Sequence, residues 1–259
     1  MSSAARPVLS ALRASQDRLR GLVEPLSPPD LEQPSGASEW TLAQALSHLG
    51  SQAEIMGSIF EAVRDGREVP GNDAFPPVWD RWNAMSADQQ RTESLIALDR
   101  ELARLDGPTD EELDALHFSL FGGYLETDAA GFALMRLLEQ TFHTWDVEVG
   151  LDAGAALAPT GTAVLVDEVR PLAQRVSPPA GTSIRLRIEL TDPGREWALL
   201  IGDSVELADW ADQAVAGTLR LPAEAFLRLV SGRSRPTDPV ELDADGVELA
   251  ELHAVFPGY

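Results

Sequence analysis

The chain has 259 residues, enough for one large domain or two ordinary ones, and its 44% hydrophobic and 24% charged content is that of a globular protein. Its formal net charge is −22, from 42 acidic against 20 basic residues, every one of them Arg; such a surface repels phosphate backbones and anionic lipid, so neither nucleic acid nor membrane is expected as a partner. The absence of Cys excludes disulfides, a thiolate nucleophile and Cys-type zinc or iron–sulfur sites, so any thiol chemistry needs a thiol from outside. No apolar run approaches the ~18–20 residues that span a bilayer, and residues 1–20 are polar and broken by charge, so no signal peptide is read and the expected location is cytoplasmic.

Residues 7–24 carry Val8, Leu12, Leu19, Leu22 and Val23 at helical spacing, with Pro25 to end the helix. A loop rich in Pro, Ser and Gly follows over 26–39. Thr41 with Gln44 is a capping box that opens a second helix over about 42–64, with Leu42, Leu46, Leu49, Ala53, Met56 and Phe60 along its apolar stripe. His48 lies about 100° from that stripe, on a flank with Ile55 and Ile59; it faces a neighbouring helix, a cleft or the boundary with water. Residues 65–77 read as a turn-rich loop. A third helix over 86–105 shows Leu95, Leu98, Leu102 and Leu105 and is broken by Asp106-Gly107-Pro108. Residues 109–123 read as a short helix or irregular segment holding His117, whose neighbours Phe118, Leu120 and Phe121 suit packing. Residues 126–149 read as a fourth long helix. Four such helices describe an up-and-down bundle, which builds its sites from side chains on facing helices.

The character changes after Gly150. Residues 151–161 are mostly small and suit a linker, and residues 160–176 read as a helix ended by Ser177-Pro178-Pro179. In residues 183–190, Ile184, Leu186, Ile188 and Leu190 alternate with charged partners, the period of a half-buried strand. Further strands are expected over 197–201, 215–221 and 240–242, and helices over 222–230, with Gly232 beyond its end, and 247–255. The expected fold class is therefore α plus α+β: a four-helix bundle in residues 1–150, then a small α+β domain in residues 155–259.

Glu139 and His143 stand four residues apart on the fourth helix, so their side chains leave the same face one turn from each other. Phe132 and Met135 point nearly the same way, toward a core, where a carboxylate needs a cation, a donor network or a proton. A metal ion is one such cation, and Glu with His suits zinc; a Glu–His hydrogen bond or a solvated helix edge accounts for the pair equally. If the second and fourth helices face each other, His48 joins them. Two imidazoles and one carboxylate then leave an open position, the arrangement of a catalytic zinc site. Asp146, three residues beyond His143, is placed either to accept the free ring N–H or to be a solvated helix-end acid.

The segments ASEWTLAQALSHLGSQAE, VWDRWNAMS and RLLEQTFHTWDV resemble the mycothiol-dependent maleylpyruvate isomerase family, a branch of the DinB-like metalloenzymes. LPAEAFLRLVSGR resembles the end of that family's sterol-carrier-like domain. The resemblance covers both halves and implies a DinB-like four-helix bundle followed by a sterol-carrier-like α+β domain. It implies that His48, Glu139 and His143 bind zinc or another divalent metal. It also implies that Arg233 is catalytic and holds a substrate carboxylate, although the family's usual Leu-Trp-Gly-Arg is here Val-Ser-Gly-Arg and Arg235 is close by. In the family the nucleophile is the thiol of mycothiol, which fits a chain without Cys. The isomerase adds that thiolate to an activated double bond, permits rotation and eliminates it again; related S-transferases stop at substitution or addition. The implied function is a metal- and mycothiol-dependent S-transferase or isomerase, with a small electrophilic, maleylpyruvate-like substrate and a low-molecular-weight thiol as partners. Two other classes stay open: a zinc hydrolase using metal-bound water, and a non-catalytic metal- or small-molecule-binding protein.

Overall fold

The computed structural model describes residues 2–37 and 39–258, which divide into two compact units, Met1–Ala155 and Ala156–Tyr259. In the first unit the amphipathic stretches become α1 (Ala5–Val23), α2 (Pro28–Leu31), α3 (Leu42–Arg64), α4 (Pro76–Asn83), α5 (Ala87–Asp106), α6 (Asp110–Asp114) and α7 (Ala129–Leu151). A hairpin of β1 (His117–Leu120) and β2 (Leu125–Asp128) precedes α7. The long helices α1, α3, α5 and α7 bury their apolar faces together, with Leu19, Val23, Leu42, Leu46, Leu49, Leu95, Leu98 and Val147 in one cluster. Each such Leu contributes about 1.5–3 kcal/mol on burial, so this seam fixes how every helix is turned about its axis.

The four long helices are not connected up-and-down. Along α3, Gly50 lies against Ser94 and Gly57 against Arg104, while Glu61 accepts from Arg104 Nε at 2.8 Å, so α3 and α5 run parallel. Against α5, α1 runs antiparallel, with Arg20 on Asp99, Arg13 on Asp106 and Arg6 on Asp110. α7 runs antiparallel to α3: His48 faces Glu139, and Phe60 faces Phe132 with ring centres 5.9 Å apart. The connection over residues 65–86 is long enough to carry the chain back along the bundle, which a short loop cannot do. Part of it folds as α4, anchored by Trp82. That indole sits over Gly50, where a Cβ would collide with it, and its Nε1 donates to Glu54 Oε2 at 3.0 Å.

The hairpin is a second departure from expectation. Glu126 belongs to β2, and α7 starts only at Ala129, where Asp128 caps it by accepting from Gly131 N at 2.8 Å. Alternation along β1 turns Phe118 inward to stack on Phe132, ring centres 4.4 Å apart, and leaves His117 exposed beside Glu126 at 2.8 Å. Of the neighbours expected to suit packing, Phe118 and Leu120 are buried, whereas Phe121 is exposed.

The second unit contains α8 (Pro159–Leu165), α9 (Val169–Gln174), β3 (Ile184–Thr191), β4 (Arg195–Ile201), β5 (Val205–Asp209), β6 (Gly217–Pro222), α10 (Ala223–Val230), β7 (Glu241–Ala244) and α11 (Leu249–Val255). A 3-10 turn, Val166–Glu168, divides what the sequence reads as one helix into α8 and α9. The sheet order is β5-β4-β3-β6-β7, with β3 and β6 parallel and the other neighbours antiparallel. β3 buries Ile184, Leu186, Ile188 and Leu190 on one face, and α10 packs on β3 and β6. Arg228 of α10 is itself buried, donating to Glu224 and to Asp238 at 2.9 and 2.7 Å. The small-residue stretch after α7 is packed: Ala155 accepts from Trp145 Nε1 at 3.0 Å in the first unit, and Leu157 N donates to Glu224 at 3.1 Å in the second. Among the described residues no helix is long and apolar enough to cross a membrane.

Candidate metal centre

Two helix starts set the phase of the site. Thr41 caps α3 reciprocally with Gln44, its Oγ1 accepting from Gln44 N at 3.2 Å while Gln44 Oε1 accepts from Thr41 N at 2.8 Å. With α3 so begun and α7 begun at Asp128, the antiparallel pair brings His48 opposite Glu139 and His143. His48 Nε2 lies 3.1 Å from Glu139 Oε2, and His143 Nε2 lies 3.6 Å from the same oxygen. All three donor atoms fall within 4.8 Å of one another. Donors bound tetrahedrally at ~2.0–2.1 Å from one ion stand ~3.3 Å apart, so two imidazole nitrogens and a carboxylate oxygen at these separations fit a zinc-like ion. The Glu139 side chain is 39% exposed against 23% for His48 and 13% for His143, which puts the open side of the site at the carboxylate.

The surroundings shift the three groups differently. Burial, the largest influence, pushes the His48 pKa below its ordinary value, and the neighbouring His143 adds to this. Burial also pushes His143 down, but the carboxylates of Asp146 and Glu139 together outweigh it, and the His143 pKa is raised. For Glu139 burial acts upward, and hydrogen bonds from His143 and His48 reverse it, holding the carboxyl well below the usual range. Asp146 is fully buried and its Oδ2 lies 2.8 Å from His143 Nδ1, so it is not a solvated acid.

Two features beside the site escape a reading of the sequence. Trp40, directly before the cap of α3, places its ring centre 5.1 Å from that of His48 and 5.8 Å from that of His143. In the sequence it is only a flanking aromatic. Behind Glu139, Arg136 donates from Nε to Glu101 Oε1 of α5 at 2.5 Å, both side chains essentially inaccessible. The available signal was an Arg on an otherwise apolar face three residues before Glu139. Arg233 belongs to the second unit, following Gly232 at the end of α10; it is half-buried, and its Nη1 donates to Ser231 O at 3.3 Å.

Residues 12–148 match the family described as the mycothiol maleylpyruvate isomerase N-terminal domain. No curated protein matches the chain. Among solved structures, the chain is similar to the mycothiol-dependent maleylpyruvate isomerase, with a TM-score of 0.67 at 14% identity. It is similar also to a histidine-to-alanine variant of that enzyme, with a TM-score of 0.66 at 13% identity. Both alignments cover 93% of this chain and 96% of the other. At such identity the likeness is one of fold.

Proposed function

The chain belongs to the mycothiol maleylpyruvate isomerase family, and from that premise we propose that it is a metal-dependent enzyme that isomerises a small electrophile with the help of mycothiol, or conjugates the two. The observation that carries this reading is the convergence of His48 Nε2, Glu139 Oε2 and His143 Nε2, with 3.1 and 3.6 Å from the imidazoles to the shared carboxylate oxygen. The name of the similar solved enzyme supports a maleylpyruvate-like substrate. His48, Glu139 and His143 would hold zinc or another divalent ion, which when bound supplies the Lewis acidity that brings a thiol's pKa toward neutrality.

The chain's own groups divide the remaining work. With no Cys, it relies on a low-molecular-weight thiol for sulfur. His48, its proton affinity lowered, offers a lone pair at neutral pH. Asp146 holds the Nδ1 side of His143 and so leaves Nε2 to ligate. Glu139 stays ionised across the physiological range, which suits a ligand rather than a general base. Arg233 is assigned the task of holding a substrate carboxylate in bidentate fashion.

Zinc-loaded protein, incubated with a maleylpyruvate-like cis-alkene and followed by ultraviolet absorbance with and without mycothiol, tests the reading. Turnover is expected only with the thiol present and is lost in His48→Ala. Turnover that ignores the thiol would contradict it and point to hydrolysis by metal-bound water.

A further inference from the structure

Trp40 is the one aromatic ring that contacts both nitrogen ligands among the described residues. It lies near-parallel to His143, at 29°, and tilted at 40° to His48, while the two imidazoles stand 4.5 Å apart edge to face. His48 needs such a neighbour. Its described side-chain hydrogen bond is the one to Glu139, whereas His143 has a carboxylate near each ring nitrogen, Asp146 Oδ2 at 2.8 Å from Nδ1 and Glu139 Oε2 at 3.6 Å from Nε2. The terminal torsion of a histidine is broad, so a single contact leaves the ring free to turn.

The backbone that carries Trp40 is pinned on two sides. Ser35 N donates to Trp40 O at 2.9 Å and Leu42 N to Gln33 O at 2.9 Å, which closes the segment against the start of α3. Gly36 N donates to Asp146 O at 2.7 Å, which ties the same segment to α7 beside the partner of His143. The approach is close enough to require glycine: a Cβ at position 36 would lie 2.5 Å from Val149 Cγ1 and 3.1 Å from Asp146 Cα. Trp40 also packs on the apolar cluster of the bundle. The indole is therefore placed by the core and by both ligand-bearing helices.

We propose that Trp40 is a positioning residue of the metal centre, its ring fixing the imidazoles of His48 and His143 so that their Nε2 atoms converge on Glu139, and closing that side of the site to water. This inference rests on the metal centre proposed above.

Two readouts test it. In the metal-free protein, which has four histidines, the ring protons of His48 and His143 are expected upfield in the NMR spectrum through the indole ring current. Trp40→Ala should return those two and leave His117 and His253 in place. Zinc affinity, measured by chelator competition, should fall about 10–100-fold in Trp40→Ala, as for other residues that orient metal ligands. Trp40→Leu, which keeps apolar burial and guards against a variant that fails to fold, should lose nearly as much, whereas Trp40→Phe should restore most of the affinity. Ring-proton positions indifferent to Trp40→Ala, or zinc bound as tightly by the Leu variant as by the wild type, would overturn the role of Trp40 alone. Upfield ring protons in a wild type that binds no zinc would overturn the metal centre and the positioning role with it.

Discussion

His48 and His143 carry the same imidazole into one centre, yet their surroundings shift their proton affinities in opposite directions. His143 is raised above 6.5 by Asp146 and Glu139 against the effect of burial, so in the absence of an ion it keeps its proton to higher pH. A metal must displace that proton. Zinc affinity is therefore expected to fall about tenfold per pH unit below the raised His143 value, and more steeply in stronger acid once His48 is protonated as well. Affinity that stays flat down to pH 5 would contradict two histidine ligands. Asp146→Asn removes one of the charges that hold the His143 proton, so the midpoint of metal uptake should move to lower pH while the plateau affinity falls about 10–100-fold. For the metal-free fold the signs differ by group. The raised His143 contributes stability that is complete below pH 6.5 and lost as pH rises through its folded value; the depressed Glu139 contributes above pH 4.5 and is lost as pH falls through its own.

Between elements, the pair formed by Arg136 of α7 and Glu101 of α5 ties the helix that bears Glu139 and His143 across the bundle to a helix other than its main packing partners, α1 and α3. Both side chains are buried, so removing one leaves an uncompensated charge. Glu101→Ala should cost about 3–5 kcal/mol in urea unfolding, whereas Glu101→Leu combined with Arg136→Met should be close to neutral. A loss below about 1 kcal/mol in the single variant would contradict a dry, mutually dependent pair. At this level the sequence is unevenly legible. The capping box at Thr41 and Gln44, the fourfold spacing of Glu139 and His143, and the alternation in β3 are local signals, and each corresponds to an observed element. The parallel course of α3 and α5 is not local, since periodicity records which face is buried and not which way a helix runs. β1, β2 and β5 have 4, 4 and 5 residues, too few for an alternation to be told from the start of a helix or a loop. Trp40 and Arg136 act through rings and charges contributed by other helices, and no spacing within one segment reveals them.

Across the whole molecule, the chain combines a net charge of −22, the absence of Cys and a cluster of one carboxylate and two imidazoles that could hold a metal ion. The acidic surface works against polyanionic partners. The absence of thiols leaves the protein without a sulfur nucleophile of its own, which is consistent with membership of a family named for an external one. If Arg233 has the carboxylate-binding role proposed for it, Arg233→Ala should raise KM for a carboxylate substrate without changing metal content. All of this depends on an ion being held by three side chains. The most direct measurement is the metal content of the purified wild type and of His143→Ala by elemental analysis, with circular dichroism to establish that both are folded. About one zinc per chain in the wild type, lost in the folded variant, is the expected result. A wild type that takes up no metal after reconstitution, or a variant that keeps its full complement, would contradict the three-ligand centre.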